Sequence, residues 1–313
     1  MSLSLRALLG VCLSFFGTAA ILYGFKGKLP QDHGRAFAVN GEKSKGKARG
    51  GGVLFIPVFA VLSLALVPFS AELALYLLFT VLAMVTGYLD DKSALPWGEL
   101  KKGLLDLAIC VAAVAVLMYN EPATSITIFS CVLVLPKWLF ALFATFILWA
   151  SINCCNCTDG VDGLFGTLGM LALGAFSYVL FAVFERPEWA MPGLFLVCTL
   201  AAYLLFNASP SLIMMGDAGS RAVGLFLGIL ALKTGNMLLI IPFAVVILLD
   251  GGLGLLKLSI MRLTHSKTFM MWLLTPLHDE ARKKHGWSDT QTVFRFALVQ
   301  LVFCLIGILT LSK

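Results

Sequence analysis

Apolar runs of about 17–25 residues, each long enough to cross roughly 30 Å of hydrocarbon, recur along the chain between short polar segments. Read in order, they predict helices near Leu5–Phe25, Gly52–Pro68, Glu72–Leu89, Gly103–Tyr119, Trp138–Ile152, Leu164–Phe184, Trp189–Phe206, Ala222–Leu232, Met237–Leu256 and Thr292–Leu311. The eighth is short and is expected to extend into Gly219-Ser220-Arg221 or Thr234. The ninth contains Asp250-Gly251-Gly252, where a break or bend is expected. Ile126–Leu135 is rich in β-branched residues and bounded by Pro122 and Pro136, so a small hairpin on the outer face fits as well as a helix. No repeat of fixed period and no Pro/Ser/Gly-rich or charged linker divides residues 1–313, which read as one integral-membrane domain. The fold class expected is an all-α polytopic membrane protein of about ten transmembrane helices.

Composition agrees with that pattern. Hydrophobic residues make up 59% of the chain and charged residues 13%, with a mean hydropathy of +0.94; soluble domains carry about 25% charged residues. No A-x-A-like cleavage site follows Leu5–Phe25, so it reads as the first span and not as a signal peptide. The net charge of +6 needs no nucleic acid to explain it, because the basic residues alternate by loop. Lys26, Lys28, Arg35, Lys43, Lys45, Lys47 and Arg49 lie between the first two spans. Lys92, Lys101 and Lys102 follow the third, and Lys257, Arg262, Lys267, Arg282, Lys283 and Lys284 precede the last. The opposite connections hold only Lys137, Arg186 and Lys233. The positive-inside rule places the basic loops in the cytoplasm and both termini outside.

Candidate chemistry gathers on that cytoplasmic side. The stretch from Asn153 to Leu164 holds Asn153, Asn156, Asp159 and Asp162 with Gly160 and Gly163, between two apolar segments. Carboxamides both donate and accept, which suits a nucleobase, ribose or acyl amide, whereas helix capping would need only one such residue. Asp90-Asp91, Met215-Gly216-Asp217 and His278-Asp279-Glu280 fall at span ends on the same side. Carboxylates among lysines describe a site for a divalent cation and phosphates, with oxygen ligands suited to Mg²⁺ and Lys as a point charge. A proton relay would place its carboxylates nearer mid-membrane. Cys154, Cys155 and Cys157 lack a second pair at zinc spacing, and Gly50-Gly51-Gly52 lacks the strand and helix of a P-loop.

Four ordered blocks carry a resemblance: Gly87-Tyr88-Leu89-Asp90-Asp91-Lys92; Asn153-x-x-Asn156-x-x-Asp159-Gly160-Val161-Asp162-Gly163; Phe206-Asn207-Ala208-x-Pro210 with Met215-Gly216-Asp217-Ala218-Gly219-Ser220; and Thr275-Pro276-Leu277-His278 with Gly286-Trp287-Ser288 and Arg295-Phe296. Together with Lys45-Gly46-x-x-x-Gly50-Gly51-Gly52, they resemble the polyprenyl-phosphate N-acetylhexosamine-1-phosphate transferases, and within that superfamily the phospho-N-acetylmuramoyl-pentapeptide branch. The resemblance implies a bacterial inner-membrane enzyme. It implies transfer of a sugar phosphate from UDP-MurNAc-pentapeptide to undecaprenyl phosphate, giving lipid I and UMP with Mg²⁺. Asp217 is similar to the metal ligand. Asp90 or Asp91 would orient or deprotonate the lipid phosphate, although a covalent aspartate is also consistent with sequence. Asn153, Asn156, Asp159 and Asp162 match positions around nucleotide and sugar, Lys45 and Lys102 match phosphate-facing lysines, and His278 would bind near the diphosphate or sugar. A homodimer is also implied.

The pattern has departures. A run of three histidines is here His278-Asp279-Glu280, with His285 either a substitute or a solvated loop residue. Thr-Pro-Thr-Met is replaced by Lys47-Ala48-Arg49-Gly50, and the aromatic residue before Met-Gly-Asp by Met214. These changes leave the sugar open, so a transferase for another UDP-N-acetylhexosamine is the second reading. A secondary transporter gated at Asp250-Gly251-Gly252 is the third, though no inverted repeat is visible.

Overall fold

The computed structural model describes residues 1–32, 45–93, 95, 97–121, 124–128, 131–265 and 268–311. Arg35, Lys43 and Lys267 of the basic loops, and Pro122 beside the hairpin stretch, lie outside the described residues. The helices are α1 (Leu3–Lys28, with a π turn at Leu13–Gly17), α2 (Gly52–Leu66), α3 (Ala71–Asp91), α4 (Glu99–Asn120), α5 (Lys137–Thr158), α6 (Leu164–Ala182), α7 (Pro187–Asn207) and α8 (Gly216–Lys233). They continue with α9 (Met237–Phe243), α10 (Val245–Thr264), α11 (Leu277–Lys283) and α12 (Asp289–Leu311). Every apolar segment expected from sequence is helical. Among the described residues, seven helices are long and apolar enough to span a membrane, and eight if the bent pair α9–α10 counts as one. Ser125–Ile128 (β1) and Cys131–Val134 (β2) form the antiparallel hairpin, with Ser125 opposite Val134.

Short connections make successive helices antiparallel, so the ends of α3, α5 and α7 and the starts of α2, α4, α6 and α8 share one end of the bundle. At its centre stands α8, every residue of which is buried, packed against α3, α5, α2, α6 and α7. Its neighbours are protein and not lipid, which is why it tolerates Asp217, Arg221 and Lys233 and why its apolar stretch looked too short. It runs beyond Ala222–Leu232 on both sides. At the far end, buried Lys233 pairs with Glu72 (2.8 Å) and Glu121 (2.6 Å) and lies 4.4 Å from the Trp189 ring.

The expected break at Asp250-Gly251-Gly252 is not there; those residues lie inside continuous α10. The chain instead bends by 96° between α9 and α10, at Ala244 and just after Pro242, which cannot donate to a helical ladder. Gln300 of α12 satisfies both lips of the break, donating to the Phe243 carbonyl (2.6 Å) and accepting from Val246 N–H (3.0 Å). Gly251 has a packing role. A side chain there would collide with the Cys154 carbonyl on α5.

Candidate active site

Asp90 and Asp91 end α3, and Asp217 sits in the first turn of α8. Close backbone approach brings them together: a Cβ on Gly87 would strike the Asp217 carbonyl, and one on Gly52 would strike Gly219 N. Gly216 holds φ +66, a left-handed conformation that glycine adopts freely. Asp91 then accepts the backbone N–H groups of Asp217 (3.2 Å) and Ala218 (3.0 Å). A carboxylate from one helix thereby caps the orphan donors and positive dipole end of another.

Lys102 of α4 bridges this pair of segments. Its ammonium contacts Asp90 and lies 3.0 Å from Asp217 Oδ2. Asp90 also accepts the Trp97 N–H (2.6 Å). On the other side stands Arg49, whose Nε is 2.9 Å from Asp91 Oδ1 and whose other nitrogens lie 3.5 Å from Asp32 and 3.9 Å from Asp217. The Nε contact is an ion pair without hydrogen-bond alignment. Burial pulls the Arg49 guanidinium down, and the carboxylates of Asp91, Asp217 and Asp32 more than reverse it, so its pKa rises.

A second cluster adjoins the first. Ala48 pairs with Gln31 and Ile213 in isolated β-bridges, so Lys47-Ala48-Arg49 is extended and Lys47 and Arg49 fall on one side. Lys47 Nζ reaches Asp162 Oδ2 (2.9 Å) and Ser211 Oγ (2.9 Å), while Ser211 N–H also donates to Asp162 (3.0 Å). Burial pushes the Asp162 carboxyl up, but the hydrogen bonds from Lys47 and Ser211 outweigh it and hold its pKa below the usual range. Asn207 closes the frame, accepting Gly163 N–H and donating to the Ile213 carbonyl, each at 2.8 Å.

His278, at the start of α11, is fixed by Asp250: its backbone N–H donates to Oδ1 (2.7 Å) and its Nδ1 lies 2.9 Å from Oδ2. An ionised carboxylate only accepts, so Nδ1 carries the proton and Nε2 is turned toward Gly160, where a Cβ would collide with it. His285 is exposed, within 3.8 Å of Glu280 and beside Trp287, outside these clusters.

Of the residues expected from sequence, Asp90, Asp91, Lys102 and Asp217 meet directly. Asn156 joins them, donating to Ser220 Oγ (3.0 Å) and bonding Asp217. Asp162 and His278 stand in the adjoining clusters, and Asp159 is half-buried on the turn between them. Asn153 turns its amide back onto the Trp149 carbonyl (2.8 Å). Lys45 is exposed, with no ion pair among the described residues. Sequence reading passed over Lys47, Arg49 and Asp250. The spacing of basic residues at alternate positions was the available signal for the first two, and an acid inside an apolar helix for the third.

Fold and site define a multi-pass helical membrane enzyme with a buried, charge-dense centre at one end of the bundle, suited to groups that carry phosphate. The chain belongs to Glycosyl transferase family 4, whose pattern matches residues 73–235, a little over half of it. It is 39% identical to the phospho-N-acetylmuramoyl-pentapeptide-transferase of Treponema pallidum (strain Nichols) over 98% of this chain and 90% of that protein; the protein of a second strain, of T. pallidum subsp. pallidum, matches equally. The enzyme of the same name from Bartonella quintana (strain Toulouse) is 34% identical over 35% of this chain and 30% of its own length.

Proposed function

We propose that this chain transfers phospho-MurNAc-pentapeptide from UDP-MurNAc-pentapeptide to undecaprenyl phosphate, forming lipid I and UMP for peptidoglycan. A phosphate oxygen of the lipid attacks the β-phosphorus of the donor. The bond from that phosphorus to the bridging oxygen breaks, and UMP leaves with the electron pair. The observation that carries this reading is the meeting of Asp90 and Asp217 on Lys102 beside Arg49. Phosphoryl transfer asks a protein chiefly for positioning and charge neutralisation.

Asp91 is committed to the start of α8, which leaves Asp90 to orient or deprotonate the lipid phosphate. Lys102 and Arg49 face the diphosphate. Lys47, Asp162, Asn156 and Asp159 frame the nucleotide and sugar, with Lys45 and Asn153 at the rim, and His278 Nε2 accepts a hydrogen bond from a sugar hydroxyl or amide beside the diphosphate. The donor set fits Mg²⁺ in type. Among the described residues no three His, Cys, Asp or Glu groups form a ready cage, but Mg²⁺ is commonly held by one or two carboxylates plus substrate phosphates. Asp217, with Asp90 across Lys102, would hold it. When bound it would neutralise charge on the phosphates.

Ten membrane crossings, both termini outside, one domain and a site on the cytoplasmic face of the bacterial inner membrane complete the reading. The described basic loop residues support the orientation by lying at the site end. A homodimer belongs to it as well, testable by sedimentation in detergent.

Purified protein given undecaprenyl phosphate, Mg²⁺ and either UDP-MurNAc-pentapeptide or UDP-GlcNAc tests the function through UMP release. UMP with the muropeptide donor is expected. UMP only with UDP-GlcNAc would make it a transferase for another polysaccharide, and none with either donor would favour transport.

A further inference from the structure

One turn deeper than Lys102 and Asp217, a second ion pair crosses between the same two helices. Asp106 of α4 and Arg221 of α8 are each only 1–2% exposed, and Asp106 Oδ1 takes both Arg221 Nε (3.1 Å) and its NH2 nitrogen. Lys102 and Asp106 are four residues apart on α4, and Asp217 and Arg221 four apart on α8, so on each helix the two share a face. Both helices run inward from the site end. The result is two rungs of opposite polarity, Lys102 to Asp217 outside and Asp106 to Arg221 inside.

That polarity fixes depth. α4 and α8 each pack against α3 and α5, and the long side chains of the rungs join them across that space. Sliding α8 one turn toward the site end would set Arg221 against Lys102. Sliding it one turn the other way would set Asp217 against Asp106. Either slip trades attraction for like-charge repulsion in a low-dielectric interior. The inner pair is poorly suited to stability alone. Replacing a buried ion pair by apolar side chains is often neutral or stabilising, and Arg221 NH1 is buried without a partner, an unmade bond that adds to its cost.

We propose that Asp106 and Arg221 are positioning residues for the transfer, setting the depth of α4 against α8 so that Lys102 meets Asp217. This rests on the function proposed above. The pair touches neither phosphate nor lipid; it acts through Lys102 and Asp217.

The test compares the wild type with Asp106→Leu/Arg221→Leu, Arg221→Lys and the exchanged pair Asp106→Arg/Arg221→Asp. Readouts are thermal unfolding in detergent, kcat and donor KM by UMP release, and the spin-label distance between exposed Leu100 and Leu212 with exposed Cys12 and Cys131 replaced. The double leucine variant is expected to unfold no earlier than wild type, yet to lose kcat by about tenfold or more, because small displacements of reacting groups are costly. Its donor KM should change less, and its label distance should broaden or move by up to about one helical turn, roughly 5.4 Å. Arg221→Lys should recover part of kcat. The exchanged pair keeps two attractive rungs in register and only one after a slip, so it should recover part of kcat.

Wild-type kcat in the double leucine variant would overturn the proposal. If the double variant does not fold, Asp106→Asn/Arg221→Gln replaces it with the same expectations, and wild-type kcat there would also overturn it. A wild type that releases no UMP counts against the function alone. The distance readout then decides the pair: a broadened or shifted distance supports it, and an unchanged one overturns it.

Discussion

Arg49→Leu is the perturbation whose consequences the geometry constrains most. The guanidinium is 2.9 Å from Asp91, 3.5 Å from Asp32 and 3.9 Å from Asp217, and the side chain is only 20% exposed. Two unit charges about 4 Å apart interact by about 4 kcal/mol at an effective dielectric of about 20. Removing one partner of a buried pair costs about 3–5 kcal/mol. With Asp91 still capped by two backbone N–H groups, the lower end applies, about 3 kcal/mol, read as a lower unfolding temperature in detergent. The kinetic effects should have opposite signs. A lost positive charge weakens attraction for the donor diphosphate and removes repulsion toward a cation at Asp217. Donor KM should rise about tenfold, equivalent to about 1.4 kcal/mol, while half-saturating Mg²⁺ falls. Arg49→Lys should be intermediate, since it keeps charge but loses the planar fork. The assay is UMP release titrated separately in donor and in Mg²⁺. Half-saturations that both stay unchanged, or both move the same way, would refute the electrostatic role.

Other positions give further expectations. Asp217→Asn should abolish turnover and Mg²⁺ dependence together, because it removes an anionic ligand; normal UMP release would end that assignment. Asp162 has a depressed pKa, so its stabilising contribution is complete above the ordinary carboxylate value near about 4 and is lost as pH falls through the lower folded value. Lys47→Met should flatten that acid limb of the unfolding-temperature profile, and an unaltered profile would show that Lys47 does not hold Asp162. Gly87→Ala places a methyl group on the Asp217 carbonyl and should cut kcat by about a hundredfold. A wild-type rate there would mean that the start of α8 moves without consequence.

The helices were legible because lipid demands long apolar runs; the hairpin was only one of two open readings, because a short β-branched run between prolines fits a helix as well and strand pairing decides it. The full length of α8 was not legible, since burial in protein lets a helix carry charges that a hydropathy pattern reads as its ends. The bend was assigned to Asp250-Gly251-Gly252 because sequence does not separate a glycine that bends a helix from one that lets another backbone approach; Gly251 does the second, against Cys154. Pro242, with Gln300 waiting across the bundle, marks the real break. Asp90, Asp91 and Asp217, which the structure brings together, lie in the ordered motifs, and Lys102 was singled out by the resemblance outside those blocks. Lys47 and Arg49 were missed because a basic loop is already accounted for by membrane orientation, which conceals any residue that also turns inward. Asp250 was read only as part of a bend or gate because its partner His278 lies 28 residues away in sequence.

In the proposed transfer, carboxylates distant in the chain share one centre with two phosphates at the membrane edge. A cryo-electron microscopy map of the protein with UDP-MurNAc-pentapeptide and Mg²⁺ tests it most directly. The expected map has the diphosphate between residues 45–52 and the start of α8, with the cation on Asp217 and Lys102 turned onto a phosphate oxygen. A donor bound elsewhere, with Lys102 still bridging Asp90 and Asp217, would contradict it.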